Sequence, residues 1–296
     1  MRVLVVGANG LLGSNVVEAG RRRGWIVHGT YHSSQPAFDI PLSQFSLETS
    51  DQFGDLLDEH APNVVINCAA MTDVDACEQA PERAQAINGE APGELADHCR
   101  ASETEFVHIS TDYVFDGEQR SPYDESDDPN PIQVYGESKL LGERNVRDEY
   151  PQALIPRLSF VWGVHRSSDN LTGFPAWVLD QLRAEESVPL FTDQWITPTR
   201  VGQAAEAILD LIAASESDRY HIACRSCITP YEFGEILADR IGASKSFLTE
   251  VSMDDVSRDA ARPLDSCLAV DKIEDALGRS QPTLSADIDT VWDIWD

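Results

Sequence analysis

The chain has 296 residues, 42% of them hydrophobic, with 18 Gly and 16 Pro. That fits a soluble globular protein with one large or two smaller domains and ample core. Its 51 Asp+Glu against 22 Lys+Arg give a formal net charge of -29, and such a surface excludes nucleic acid and anionic membrane faces as partners.

The acids are spread from Glu18 to Asp296 rather than gathered in a tail, and only Lys139, Lys245 and Lys272 are lysines. Many acids with few lysines suit molar salt, where counterions screen self-repulsion, so the composition predicts a halophilic source. The first residues open directly into a strand pattern, without a signal peptide, and no apolar run approaches membrane-spanning length. Cys224-x-x-Cys227 is a single CxxC without a second pair or a His cluster, so no metal site is expected. The six cysteines read as reduced thiols of a cytoplasmic protein.

In chain order, Arg2–Val6 is a short β-branched run of the kind buried in parallel sheets. It ends in Gly7-Ala8-Asn9-Gly10-Leu11-Leu12-Gly13 and gives way to a helical pattern up to about residue 23. Strand, spaced glycines, then helix is the arrangement that cradles a dinucleotide diphosphate: a tight turn, a close backbone approach, close packing and a helix dipole. The second strand, Trp25–Tyr31, is followed by His32-Ser33-Ser34. An acid here would bind the adenosine ribose and select NAD. None is present, and Tyr31, His32 and Ser33 leave room for a 2′-phosphate, so NADP(H) is preferred over NAD(H).

The pattern continues with a helix over 50–60, a strand over 63–67, a helix over 82–101 and a strand over 105–109. Small residues at the strand tip, Cys68, Ala69, Ala70 and Thr72, let a cofactor lie against the backbone. Hydroxyl-bearing Ser110-Thr111-Asp112-Tyr113 at the next tip can donate to a substrate oxygen. Tyr135-Gly136-Glu137-Ser138-Lys139 follows, on a helix, with the phenol and the ammonium one turn apart on one face. An ammonium held beside a phenol lowers the phenol pKa toward neutrality, the tuning a proton donor needs. After a strand over 154–158 the alternation loosens: a punctuated loop over 163–173, then helix 174–185, strand 188–191, helix 201–214, strand 219–223 and helix 230–242.

The expected fold is α/β, a Rossmann-type doubly wound parallel sheet with a smaller α/β substrate-binding lobe. Residues 1–160, with returning segments near 190–225, form the dinucleotide-binding domain, and 161–296 form mainly the lobe.

With these residues in place, the chain resembles the extended short-chain dehydrogenases/reductases over essentially its full length. Gly7-x-x-Gly10-x-x-Gly13 is similar to the family's cofactor loop and Tyr135-x-x-x-Lys139 to its catalytic pair. Within the family it most resembles the dTDP-4-dehydrorhamnose reductases. Asn67-x-Ala69-Ala70-x-Thr72-x-Val74-Asp75-x-x-Glu78, Ser110-Thr111-Asp112-Tyr113-Val114-Phe115-x-Gly117, Asp193-Gln194-x-x-x-Pro198-Thr199 and Arg262-Pro263-x-x-Ser266-x-Leu268 match in the same order.

The resemblance implies an NAD(P)H-dependent reductase of a nucleotide-linked 4-keto-6-deoxy sugar and a possible homodimer. Tyr135 would protonate the sugar oxygen, Lys139 would hold the nicotinamide ribose and lower the phenol pKa, and Thr111 would hydrogen-bond the same oxygen or the phenol. Asp112, Tyr113 and Phe160 would border the sugar, and Asp39-Ile40 would lie near the adenine. Phe160 stands where the subfamily often has a Trp, so the indole donor is lost. Two alternatives share the fold: a nucleotide-sugar epimerase or dehydratase, and a non-catalytic NADP-binding regulatory subunit like methionine adenosyltransferase β.

Overall fold

A computed structural model describes residues 1–295. The first half runs β1 (Arg2–Val6), α1 (Leu11–Arg22), β2 (Ile26–Tyr31), β3 (Leu42–Gln44), α2 (Phe53–His60) and β4 (Val64–Asn67). It continues through α3 (Val74–Gln79), α4 (Pro81–Gln85), α5 (Ala91–Ala101), β5 (Glu105–His108), β6 (Ser110–Thr111), α6 (Val134–Glu149) and β7 (Leu154–Leu158). All pairings in this sheet are parallel, in the order β3-β2-β1-β4-β5-β7, with β6 also paired to β7. Side chains alternate across it. Val3 and Val5 enter a core with Val16 and Val17 of α1, while Leu4 and Val6 enter another with Leu56 of α2 and Leu95 of α5. Burial on both faces is why these strands read as unbroken apolar runs.

The second half supplies β8 (Val161–His165), β9 (Asn170–Thr172), α7 (Phe174–Arg183), β10 (Val188–Phe191), β11 (Thr199–Arg200) and α8 (Val201–Ala213). After these come β12 (Asp218–Ile222), α9 (Pro230–Ile241), β13 (Leu248–Val251), α10 (Asp271–Leu277) and α11 (Leu284–Trp295). Two of these elements return to the first half: β12 pairs parallel with β7 at the sheet's edge, and α8 lies against α1. The remainder has its own core around Trp162, Leu179, Phe233, Leu248 and Leu284. Among the described residues no helix is long and apolar enough to cross a membrane.

Three expectations change. The helix over 82–101 is interrupted by a π-helical turn at Ala86–Glu90. Pro92 lacks an N–H for the Asn88 carbonyl four residues back, and the wider turn accommodates that loss. The stretch 163–173, read as a loop, is an antiparallel hairpin of β8 and β9, pairing Gly163 with Thr172 and His165 with Asn170. And the thiols are not all reduced. Cys227 and Cys267, 40 residues apart, form a disulfide, while Cys68, Cys77, Cys99 and Cys224 are free.

Candidate active site

At the end of β1, Gly7 takes φ +82, a conformation that favours glycine. A Cβ there would meet the Ala69 backbone nitrogen at 2.9 Å, and one at Gly13 would lie 2.1 Å from the Gly7 carbonyl oxygen. Helix α1 then starts behind Gly10, an N-cap with no side chain to cover the first turn. A hollow that any larger residue would fill, at the uncapped amino end of a helix, fits the diphosphate of a dinucleotide.

From this cradle a cleft of about 630 Å³ runs along the carboxyl ends of the strands. Gly7, Asn9, Gly10, Leu11 and Leu12 line one end, beside Tyr31, His32 and Ser33. Cys68, Ala69, Ala70 and Thr72 form the middle. Thr111, Asp112, Tyr113, Tyr135, Lys139 and Phe160 close the other end.

Helix α6 carries Tyr135 in its first turn and Lys139 one turn on. Between them, Gly136 lets the helix close on the preceding loop; a Cβ there would sit 2.0 Å from the Tyr113 carbonyl oxygen. The ammonium of Lys139 donates to the Ile109 carbonyl at 2.5 Å and lies 3.5 Å from His108 Nε2. Burial lowers its pKa to about 8, opposed by the Glu143 carboxylate. Glu143 is itself buried, held by Arg157 at 2.8 and 2.7 Å and by the Ser110 hydroxyl at 2.5 Å.

The phenol behaves contrary to the sequence expectation. Burial pushes the Tyr135 pKa up, and what opposes it is a hydrogen bond with Thr111 rather than the charge of Lys139. The ammonium serves the Ile109 carbonyl instead of the phenol, so desolvation decides the direction.

Asp112 is 3% exposed and faces inward. Its carboxylate accepts from the Thr111 hydroxyl at 3.0 Å and the Ser159 hydroxyl at 2.8 Å, and burial raises its pKa to about 6. Tyr113 packs edge-on to Tyr135 with ring centroids 6.0 Å apart, its phenol pushed up to about 12 by burial. Phe160 carries φ +40, costly for an aromatic residue, and meets Phe174 edge-on at 5.4 Å.

Two expected residues lie elsewhere. Strand β3 pairs with β2 through Leu42–Gln44, so Asp39 and Ile40 precede it, at the sheet's amino side. Asp39 is exposed there, and Ile40 packs on the core near Gly29. The carboxyl end of β3 instead delivers Phe45, Ser46 and Leu47 to a second hollow of about 220 Å³, which shares Gly7, His32, Ala69 and Ala70 with the cleft. Gly13 packs behind the cradle without lining it. Ser34 lines the cleft with His32 and Ser33, and sequence reasoning missed Val74, Ile109, Leu158, Val161 and Ile196; apolar residues carry no signal of their own.

The profile of the RmlD substrate binding domain family matches residues 1–295. The chain is 51% identical to the probable low-salt glycan biosynthesis reductase Agl14 of Haloferax volcanii, over 97% of this chain and 96% of that protein. It is 31% identical to the dTDP-4-keto-6-deoxy-D-glucose reductase of Streptomyces niveus, over 93% and 91%. The crystal structure of dTDP-4-dehydrorhamnose reductase from Bacillus anthracis in complex with NADP superposes with a TM-score of 0.85 at 26% identity, covering 99% of this chain and 98% of that one. On sequence and fold together, the chain belongs to the dTDP-4-dehydrorhamnose reductase family of extended short-chain dehydrogenases/reductases.

Proposed function

We propose that this oxidoreductase reduces a nucleotide-linked 4-keto-6-deoxy sugar to its alcohol, with dTDP-4-dehydrorhamnose the foremost candidate and NADPH the preferred reductant. The observation that carries the reading is one continuous cleft with a diphosphate cradle at one end and Thr111, Tyr135 and Lys139 at the other. Gly7, Gly10 and the first turn of α1 would hold the diphosphate, and Lys139 the nicotinamide ribose. Bound there, the reduced nicotinamide supplies a hydride to the carbonyl carbon.

Tyr135 gives its phenolic proton to the oxygen as that oxygen becomes an alkoxide. A raised phenol pKa suits this direction, because the proton stays on Tyr135 until a stronger base develops. Thr111, its hydroxyl fixed by Asp112, orients the phenol. Tyr113 and Phe160 flank the sugar, and residues 161–296 supply most of the lobe over it.

The test is to incubate the protein in molar KCl with dTDP-4-dehydrorhamnose and either NADH or NADPH. Loss of absorbance at the reduced-nicotinamide band is expected, faster with NADPH. No loss with either would overturn the reading. Cofactor retained through purification would then favour an epimerase or dehydratase; binding without turnover, together with a co-purifying protein, would favour a regulatory subunit.

A further inference from the structure

The β8–β9 hairpin takes no part in the proposed chemistry, yet its turn is pinned to both walls at the cofactor end of the cleft. On one wall, His165 Nε2 lies 2.8 Å from the Asn9 carbonyl oxygen, and the Arg166 backbone N–H donates to Ser14 Oγ at 3.2 Å. Asn15 Nδ2 donates to the Val164 carbonyl at 2.9 Å. On the other wall, the Ala37 N–H donates to Ser167 Oγ at 3.0 Å. The turn therefore bridges the glycine loop and the stretch after β2. A dinucleotide laid from the cradle puts its adenosine ribose between those two segments.

Arg166 stands between the two anchors. Its side chain has no hydrogen-bond or ion-pair partner among the described residues, in a chain with 51 carboxylates for 22 bases. Arg23, Arg83, Arg157 and Arg200 are each paired with an acid, while Arg219 shares the unpaired state of Arg166 but lies at β12, away from the glycine loop. A half-buried guanidinium carried on the turn that bridges these two segments has a natural counterpart in a phosphate, whose oxygens match its planar fork.

We propose that Arg166 is the counter-charge for an adenosine 2′-phosphate, so that the β8–β9 turn sets the preference for NADP over NAD. His32 and Ser33 add hydrogen bonds, but neither brings a permanent charge. In about 1 M salt the screening length is only about 3 Å, so a diffuse positive field would discriminate poorly and a direct contact is required. The proposal rests on the reading that the cleft holds a nicotinamide dinucleotide, and its test separates the two.

Full-length protein in molar KCl is titrated calorimetrically with NADPH and NADH, and with adenosine 2′,5′-bisphosphate and AMP. The wild type is expected to bind the 2′-phosphorylated member of each pair about tenfold tighter or more. Arg166→Ala should reduce that preference to about twofold or less while leaving NADH and AMP affinities unchanged, and Arg166→Glu should invert it. The anchoring contact to Ser14 is made by the backbone, so both variants keep it, and an unchanged melting temperature confirms their folding. A wild type without preference, a preference that survives Arg166→Ala, or an equal loss for NADPH and NADH would each overturn the assignment. If no dinucleotide binds at all, the reading of the cleft falls with it.

Discussion

A phenol that keeps its proton and a carboxylate slow to lose its own sit on either side of Thr111. Removing the first is a direct test of chemistry. Tyr135→Phe should cut turnover by about 10²–10⁴-fold while NADPH affinity, read by titration, stays as it was. Unchanged turnover would remove Tyr135 from the proton path. The second is a matter of linkage. Asp112 titrates at about 6 in the fold, above the ordinary aspartate range, so the folded state holds its proton more tightly than the unfolded chain. Its contribution to stability is complete below about pH 4 and is lost as pH rises through about 6. Asp112→Asn should therefore gain stability relative to wild type between those limits, on the order of 3 kcal/mol by pH 7. Denaturation curves across pH 4–7 would show it; a pH-independent difference would mean the carboxylate is not what titrates.

At the scale of elements, α6 is positioned by contacts from other parts of the chain, with the Glu78 carboxylate accepting from the Val134 N–H at 2.8 Å. Its N-cap, Gln133, makes no side-chain capping hydrogen bond, and Gly136 sets the helix directly on the Tyr113 backbone. Gly136→Ala should lever the two apart, costing about 1–3 kcal/mol of unfolding free energy and lowering turnover by misplacing Tyr135. A variant equal to wild type in both would show that the loop gives way freely.

What was legible from sequence was what is local. The glycine spacing, the four-residue step from Tyr135 to Lys139 and the hydroxyls after β5 each fit within one strand–turn–helix unit. Partners chosen by tertiary packing were not legible. Asp39 and Ile40, assigned by resemblance, do not line the cleft, and a three-residue strand behind Pro41 gives no periodicity from which its register could have been read. Cys267 pairs with Cys227 rather than staying free because segments distant in sequence meet beside α9. Lys139 turns to the Ile109 carbonyl, an acceptor no side-chain motif announces.

At the scale of the molecule, a net charge of -29 in 296 residues is a self-repulsion that the fold must tolerate. Raising ionic strength from about 0.1 M to about 1 M shortens the screening length from about 10 Å to about 3 Å. Thermal unfolding should therefore move to higher temperature from dilute buffer to molar KCl. Equal midpoints in the two would argue against a protein adapted to salt.

The pairing of β12 with β7 has a consequence for how the molecule is made. Until residue 222 has been synthesised, β7 is an open edge carrying unpaired backbone groups along Leu154–Leu158, all of them buried in the finished protein. Such an edge invites the wrong neighbour. A fragment ending at Ser159 would look like a self-sufficient nucleotide-binding unit, yet it should self-associate on purification. One extended through Ile222 would bring its own edge cover. Sedimentation of the two fragments would tell them apart, and with them whether the lobe is an appendage to the sheet or the detour the chain must take before its sheet can close.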